Sequence, residues 1–279
     1  MTAALAGLPP LRETLAEAGL LADKRLGQHF LFDLNLTRKI ARLAAVGQDS
    51  TVIEVGPGPG GLTRALLETG AQVLAIERDP RFTPLLEVIG GAASGRLHRV
   101  QADALRVDEL AALAAAGLAS DATVVSNLPY NVGTPLFIKW LTGPFRPRSM
   151  TLMFQAEVAA RIVASPGASA YGRLAVIAQA TCRTAKILDV PPQAFTPPPR
   201  VRSAVIRAEP FAIQPEDAIL GRLQEVTAAA FGQRRKKLRS SLASLGGAAL
   251  CSDAGVDPDL RAERLGVDGF LALATALLR

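Results

Sequence analysis

Val52-Ile53-Glu54-Val55-Gly56-Pro57-Gly58-Pro59-Gly60-Gly61-Leu62-Thr63 begins with β-branched residues and breaks into four glycines and two prolines within six positions. Leu62, Ala65, Leu66 and Thr69 then recur at helical spacing. Strand, tight glycine turn and helix in that order open a nucleotide-binding α/β unit. Glycine accepts positive φ and lets a ligand approach the main chain, while the next helix N-terminus presents free N–H groups to it. The loop alone leaves two ligands open. Gly56, Gly58 and Gly61 satisfy the G-x-G-x-x-G of dinucleotide enzymes, and Gly56, Gly58 and Gly60 fit the G-x-G-x-G of S-adenosylmethionine enzymes. A second strand, 71–76, ends in Glu77, whose carboxylate suits the adenosine ribose hydroxyls that both cofactors carry.

Further along, 96–101 reads as a third strand followed by Asp103. That carboxylate has two readings, acceptor for the exocyclic amine of an adenine ring or cap of a helix over 105–113. A helical pattern over 108–118 and a fourth strand, 122–126, lead to Asn127-Leu128-Pro129-Tyr130, which decides the cofactor. An amine on an aromatic ring is a poor nucleophile, because its lone pair is delocalised. Two acceptors for its protons favour a pyramidal nitrogen and aim the lone pair at a sulfonium methyl. The Asn127 side-chain oxygen and a backbone carbonyl beside the fixed-φ Pro129 supply them, and Tyr130 can stack on the base. Rate then comes from positioning and a preorganised polar site, with no general base required. The plain alternative, a strand-to-loop turn, leaves Glu77 and Asp103 without a purpose. A nicotinamide dehydrogenase has no use for the motif, so the cofactor read from it is S-adenosylmethionine.

The 279 residues allow one large domain or two unequal ones, and 49% hydrophobic residues suffice for a substantial core. A net charge of +6 weakly favours a polyanionic partner. Two cysteines without zinc or disulfide spacing point to a reducing cytoplasm, and two histidines make no metal site. No signal peptide and no run of 18 apolar residues is expected. Leu11, Leu15, Ala18 and Leu21 predict a short amphipathic helix within an N-terminal extension, 1–22. Asp33 is placed to cap a helix carrying Leu36, Ile40, Leu43 and Ala44.

With these motifs in hand, the chain resembles the rRNA adenine N6-dimethyltransferases and is most similar to the KsgA type, which acts on small-subunit rRNA. The resemblance is carried by Leu26-Gly27-Gln28-His29-Phe30-Leu31, residues 54–60, Asn127 to Asn131, Tyr171-Gly172-Arg173-Leu174, residues 195–205 and residues 231–238. It implies a Rossmann-like α/β methyltransferase domain, 23–209, and a small all-helical RNA-binding domain, 210–279. It also implies cofactor contacts from Gln28, His29, Leu31, Gly56, Gly58, Gly60, Glu77, Arg78, Asp103, Ala104 and Asn127. The catalytic group it implies is Asn127, Leu128, Pro129 and Tyr130, with Phe195 as a second aromatic sandwiching a flipped adenine against Tyr130. His29 stands where the family usually has a cofactor-contacting asparagine. Gln155-Ala156-Glu157-Val158 lacks the family's usual lysine.

In the second half, 151–155 and 182–190 read as strands, 157–164 and 174–180 as helices, and 201–206 as part of the sheet's final antiparallel strands. Helices are expected over 216–230, 234–245, 258–264 and 267–278. Arg234, Arg235, Lys236, Lys237 and Arg239 form a basic run expected to bind RNA phosphates without reading sequence. The activity implied is dimethylation of two adjacent adenines near the 3′ end of 16S rRNA by a cytoplasmic monomer in ribosome biogenesis. The alternatives are a resistance-type methyltransferase of large-subunit rRNA and a non-catalytic assembly or transcription factor on the same fold.

Overall fold

The continuous β-branched run of the opening motif forms strand β2 (Thr51–Val55), every residue of which is buried. A strand covered on both faces has no solvent side to mark with polar residues, so it reads as an unbroken apolar run. The computed structural model describes residues 3–20, 28–233 and 235–279. Leu21, Leu26, Gly27 and Arg234, all named above, lie outside them.

Before β2 come helices α1 (Ala3–Ala6) and α2 (Leu11–Glu17), the short strand β1 (Phe30–Leu31) and helix α3 (Leu34–Leu43). Asp33 caps α3 as expected, accepting from the N–H groups of Asn35 at 2.9 Å and Leu36 at 3.3 Å. Helix α1 has no sequence signal beyond alanine and leucine, yet Leu5 is buried with Leu15 of α2 in the core of the parallel sheet. Arg64 Nη1 reaches the Pro9 carbonyl at 2.7 Å and ties the extension down.

Helix α4 (Gly61–Glu68) follows the glycine loop. Then come β3 (Gln72–Glu77), α5 (Thr83–Ala92), β4 (Leu97–Gln101), α6 (Glu109–Ala115), β5 (Ala122–Asn127), α7 (Gly133–Thr142) and β6 (Met150–Gln155). Helices α8 (Ala156–Ile162) and α9 (Arg173–Thr181) precede strands β7 (Cys182–Val190), β8 (Phe195–Thr196) and β9 (Ser203–Pro210). The main sheet has the order β4-β3-β2-β5-β6-β9-β7, and β1 pairs antiparallel with β8 in a separate ribbon. Strands β2 to β6 pair in parallel. The chain steps outward from β2 to β4, then returns to place β5 on the other side of β2. That reversal opens a crevice beyond the carboxyl ends of β2 and β5, where open α/β sheets hold their ligands.

The chain divides into two compact units. One comprises Met1–Trp140, Phe145–Ala156 and Lys186–Arg207; the other comprises Leu141–Pro144, Glu157–Ala185 and Ala208–Arg279. These units differ from the linear boundaries 1–22, 23–209 and 210–279. Residues 157–185, assigned to the first domain from sequence, fall in the second unit because Ala175, Val176 and Ala180 of α9 pack in one cluster with Leu223, Val226 and Phe270. It also holds α8 from Glu157 onward and, later in the chain, α10 (Asp217–Phe231), α11 (Leu238–Ser241), α12 (Gly247–Asp253) and α13 (Val267–Ala276). The helix expected over 234–245 is therefore only α11 and a tight turn, Ala243–Leu245, and that over 258–264 shrinks to the turn Ala262–Arg264. Helix α12 was hidden by Gly246 and Gly247, which take φ of 109° and 56° and restart the chain in a new direction.

One side chain secures the loop between β4 and α6. Lys139 Nζ donates to the carbonyls of Ala104 at 3.0 Å and Val107 at 2.5 Å and to Glu109 Oε1 at 2.8 Å. Glu109 is buried and also accepts from Trp140 Nε1 at 2.7 Å. Lys139→Met keeps the stem but removes all three bonds and leaves the buried carboxylate with the Trp140 donor but no cationic partner. A loss of about 3 kcal/mol in urea unfolding is expected; a change within error would show that the anchor carries no stability.

Candidate active site

The crevice at the switch point is a cleft of about 1110 Å³ including its open mouth. Its walls include Gln28, His29, Leu31, Gly56, Gly58, Glu77, Arg78, Asp103, Ala104 and Asn127 to Tyr130, so residues far apart in sequence meet there. Two predicted residues do not reach its surface. Gly60, the N-cap of α4 at φ 90°, faces away, and a Cβ there would drive into Ile89 Cδ1. Phe195 is 2% exposed and meets the edge of the His29 ring instead.

The glycine loop turns with Gly56, Gly58 and Gly60 all at positive φ. A side chain on Gly56 would also crowd Pro129, 3.3 Å from the built Cβ, so the first glycine and the Asn127-to-Tyr130 loop approach each other closely. Ser126 Oγ donates to the Val55 carbonyl at 2.5 Å, locking the ends of β5 and β2 together one residue before Asn127.

Glu77 ends β3 with Oε2 accepting from the Gly58 N–H at 3.0 Å and Oε1 from the Asp79 N–H at 2.8 Å. Burial pushes its pKa upward against the backbone donors of Asp79, Gly58 and Arg78, and a carboxylate with about four lone-pair sites still has capacity for a further donor. Asp79 in turn accepts from Gln28 Nε2 at 3.0 Å and pairs with Arg81, which holds its carboxyl below the usual range. Asp103 Oδ1 accepts from the Leu105 N–H at 3.1 Å, and Oδ2 lies 3.7 Å from Arg78 Nη1. It does not cap a helix over 105–113. Helix α6 starts later and is capped by Asp108, which accepts from the Ala111 N–H at 3.1 Å.

Asn127 Nδ2 donates to the main-chain carbonyl of His29 at 3.2 Å. The amide is thereby oriented with its oxygen left for another donor. Leu128 is buried, and Tyr130 OH bonds Ser203 Oγ at 2.6 Å. The His29 ring lies 5.6 Å from the Tyr130 ring and 6.4 Å from that of Phe195, and its Nδ1 is 2.8 Å from the Pro197 carbonyl. The partner for this whole segment is the β1–β8 ribbon, which sets Phe30 against Thr196 and Leu31 against Phe195. A two-residue strand leaves no periodicity in the sequence, so the ribbon could not be anticipated.

Glu54 precedes the glycine loop and has no part in the sequence motif's chemistry. It lines the cleft, 2% exposed, and accepts from the Thr63 hydroxyl at 2.6 Å. Burial, opposed by the Thr63 bond and assisted by the neighbouring Glu77, pushes its pKa up to about 8. A cationic ligand group in the cleft relieves that repulsion.

In the helical unit, Arg235, Lys236, Lys237 and Arg239 are all exposed. Lys237 and Arg239 share one carboxylate, Asp259, at 3.3 Å and 2.9 Å.

A family model described as ribosomal RNA adenine dimethylase matches residues 19–277. The chain belongs to the ribosomal RNA adenine dimethylase family. It is an enzyme, a methyltransferase that uses S-adenosylmethionine. It is 64% identical over 271 residues to a ribosomal RNA small subunit methyltransferase A of Phenylobacterium zucineum, covering 97% of this chain and 93% of that one. It is 65% identical over 258 residues to the protein of the same name from Caulobacter vibrioides, covering 92% and 98%. Among solved structures, a dimethyladenosine transferase from Plasmodium falciparum shares the fold, with a TM-score of 0.71 at 22% identity over 88% of this chain and 96% of that one. The 23S rRNA methyltransferase ErmE superposes with a TM-score of 0.63 at 25% identity, covering 90% and 100%.

Glu54 predicts a pH signature for this family member. Its pKa rises on folding from 4.5 to about 8, so across that window the native state holds a proton that the unfolded chain releases. Stability contributed here is complete at low pH and falls as pH rises through the window. Glu54→Gln removes the titration. Thermal unfolding from pH 5 to pH 8 should show wild type losing ground steadily to the variant; parallel pH profiles would sink the idea.

Proposed function

We propose that the protein transfers methyl groups from S-adenosylmethionine to the N6 amines of two adjacent adenines in a 3′-terminal loop of 16S rRNA, each twice. It would do so as a cytoplasmic monomer during small-subunit biogenesis. The observation that carries the reading is Asn127, at the end of β5 beside the glycine loop, with its amide nitrogen held by the His29 carbonyl. Identities of 53% to 65% with relatives named ribosomal RNA small subunit methyltransferase A support the substrate. Both cysteines are free and buried, as suits a reducing compartment.

The parts of the cleft suit the cofactor. Glu77 offers its remaining acceptor capacity to a ribose hydroxyl, Asp103 and Ala104 are suited to meet an adenine ring, and Gly56 leaves room for the methionine end. When bound, the cofactor supplies an electrophilic methyl on a sulfonium and departs as a neutral thioether. Asn127 Oδ1 and the Leu128 carbonyl would accept hydrogen bonds from the two N6–H groups and draw the nitrogen toward a pyramidal geometry, while Tyr130 stacks on the base. As the new N–C bond forms, the nitrogen becomes acidic and releases one proton to water. No side chain needs to act as a strong base. The second transfer meets an amine with one proton left, so only one of the two acceptors is engaged.

The exposed basic residues of the helical unit support phosphate binding. Replacing Arg235 and Lys236 by glutamine should weaken binding to small subunits and reduce the slope of log affinity against log salt by up to about 2. An unchanged slope would remove them from the interface.

The reaction is tested by labelled methyl transfer to small and large subunits lacking adenine dimethylation. Small-subunit label is expected, reduced about a hundredfold or more in Asn127→Ala. The fold likeness to the 23S rRNA methyltransferase makes large-subunit label the competing outcome. Label on neither, with the cofactor bound, would favour a non-catalytic assembly factor.

A further inference from the structure

His29 was expected among the cofactor contacts, and its ring, at the cleft wall, also packs against two aromatic side chains. The ring is tilted 34° against Tyr130 at a centroid distance of 5.6 Å and meets Phe195 edge-on, at 79° and 6.4 Å. These are the separations of packed aromatic pairs. Its Nδ1 lies 2.8 Å from the Pro197 carbonyl, which can only accept, so that nitrogen bears the proton and donates. Phe195 does not line the cleft, whereas His29 and Tyr130 do. The imidazole thus lies against both rings between which the proposed reaction, on whose reading this inference rests, puts the target adenine.

We propose that His29 is a stand-in for the target base: its imidazole fills the aromatic slot of Tyr130 and Phe195 until a flipped adenine displaces it. An empty slot would leave two aromatic faces against water, and a planar ring with its own hydrogen bond covers them. A flipped adenine gains the same faces over a larger area. Side chain and main chain of His29 are separable in this exchange. The carbonyl that orients Asn127 belongs to a backbone held by the β1–β8 ribbon, with Phe30 paired to Thr196. Rotation about the side-chain bonds releases the ring and the Pro197 contact and leaves that carbonyl in place. A base that stacks weakly gains too little to move the ring, so the exchange also discriminates against pyrimidines.

The test uses adenosine as the probe for the base slot, with the cofactor site first filled by S-adenosylhomocysteine. Adenosine affinity is measured by equilibrium dialysis for wild type, His29→Ala, His29→Phe and Tyr130→Ala, and S-adenosylhomocysteine affinity by calorimetry for each. His29→Ala should bind adenosine roughly fivefold more tightly, the scale of one aromatic pair lost as competitor. Its S-adenosylhomocysteine affinity should stay within about twofold. His29→Phe refills the slot and should return adenosine affinity to the wild-type level or below.

Equal or weaker adenosine binding by His29→Ala would overturn the proposal, and a loss of S-adenosylhomocysteine affinity would return His29 to the cofactor. Wild type that methylates small subunits while His29→Ala shows no gain refutes the stand-in role alone. Wild type and Tyr130→Ala binding adenosine alike would refute the aromatic slot itself, and the proposal with it.

Discussion

The 2.5 Å hydrogen bond from Ser126 Oγ to the Val55 carbonyl joins the ends of the two strands between which the chain reverses direction. On one side of it the glycine loop begins; on the other stands Asn127. Parallel pairing of β2 with β5 sets these loops side by side, and this bond limits how far they can separate. The contact of Gly56 with Pro129 is possible only at that spacing. A methyl-transfer site needs donor and acceptor held at contact distance with little freedom, and rigid strands supply this better than loops.

Above that floor, short segments do the fine work. The β1–β8 ribbon is two residues long on each side, yet it fixes the carbonyl that aligns Asn127 and brings Phe195 behind His29. Below the loop, Glu54 and Glu77 face the same cleft, and burial pushes the pKa of both upward, against the Thr63 hydroxyl in one case and main-chain donors in the other. The cleft therefore combines apolar walls with acceptor groups, an environment suited to a ligand whose charge disappears as it reacts.

Much of this was legible in sequence. The parallel core announced itself through continuous β-branched strands and punctuating glycines, and Asn127-to-Tyr130 carried enough chemistry to choose between two cofactors. Legibility failed where structure depends on tertiary partners. The membership of α9 in the helical unit follows from packing against Leu223 and Phe270, and nothing in the sequence order of α9 marks it. Helix α12 lay behind a glycine pair that reads as a break. The side-chain direction of His29 depends on Pro197, 168 residues away, so position in a motif could not reveal it.

Lys139 grips Ala104 and Val107 through their carbonyl oxygens, groups that every amino acid possesses. The loop flanking the cleft is thus anchored without regard to which side chains it carries. Side chains at 104 and 107 can be exchanged, altering the size and polarity of that wall, without removing either bond. The lysine has no such latitude, because its ammonium alone reaches all three acceptors. The two main-chain bonds thus depend on side-chain identity at one end only.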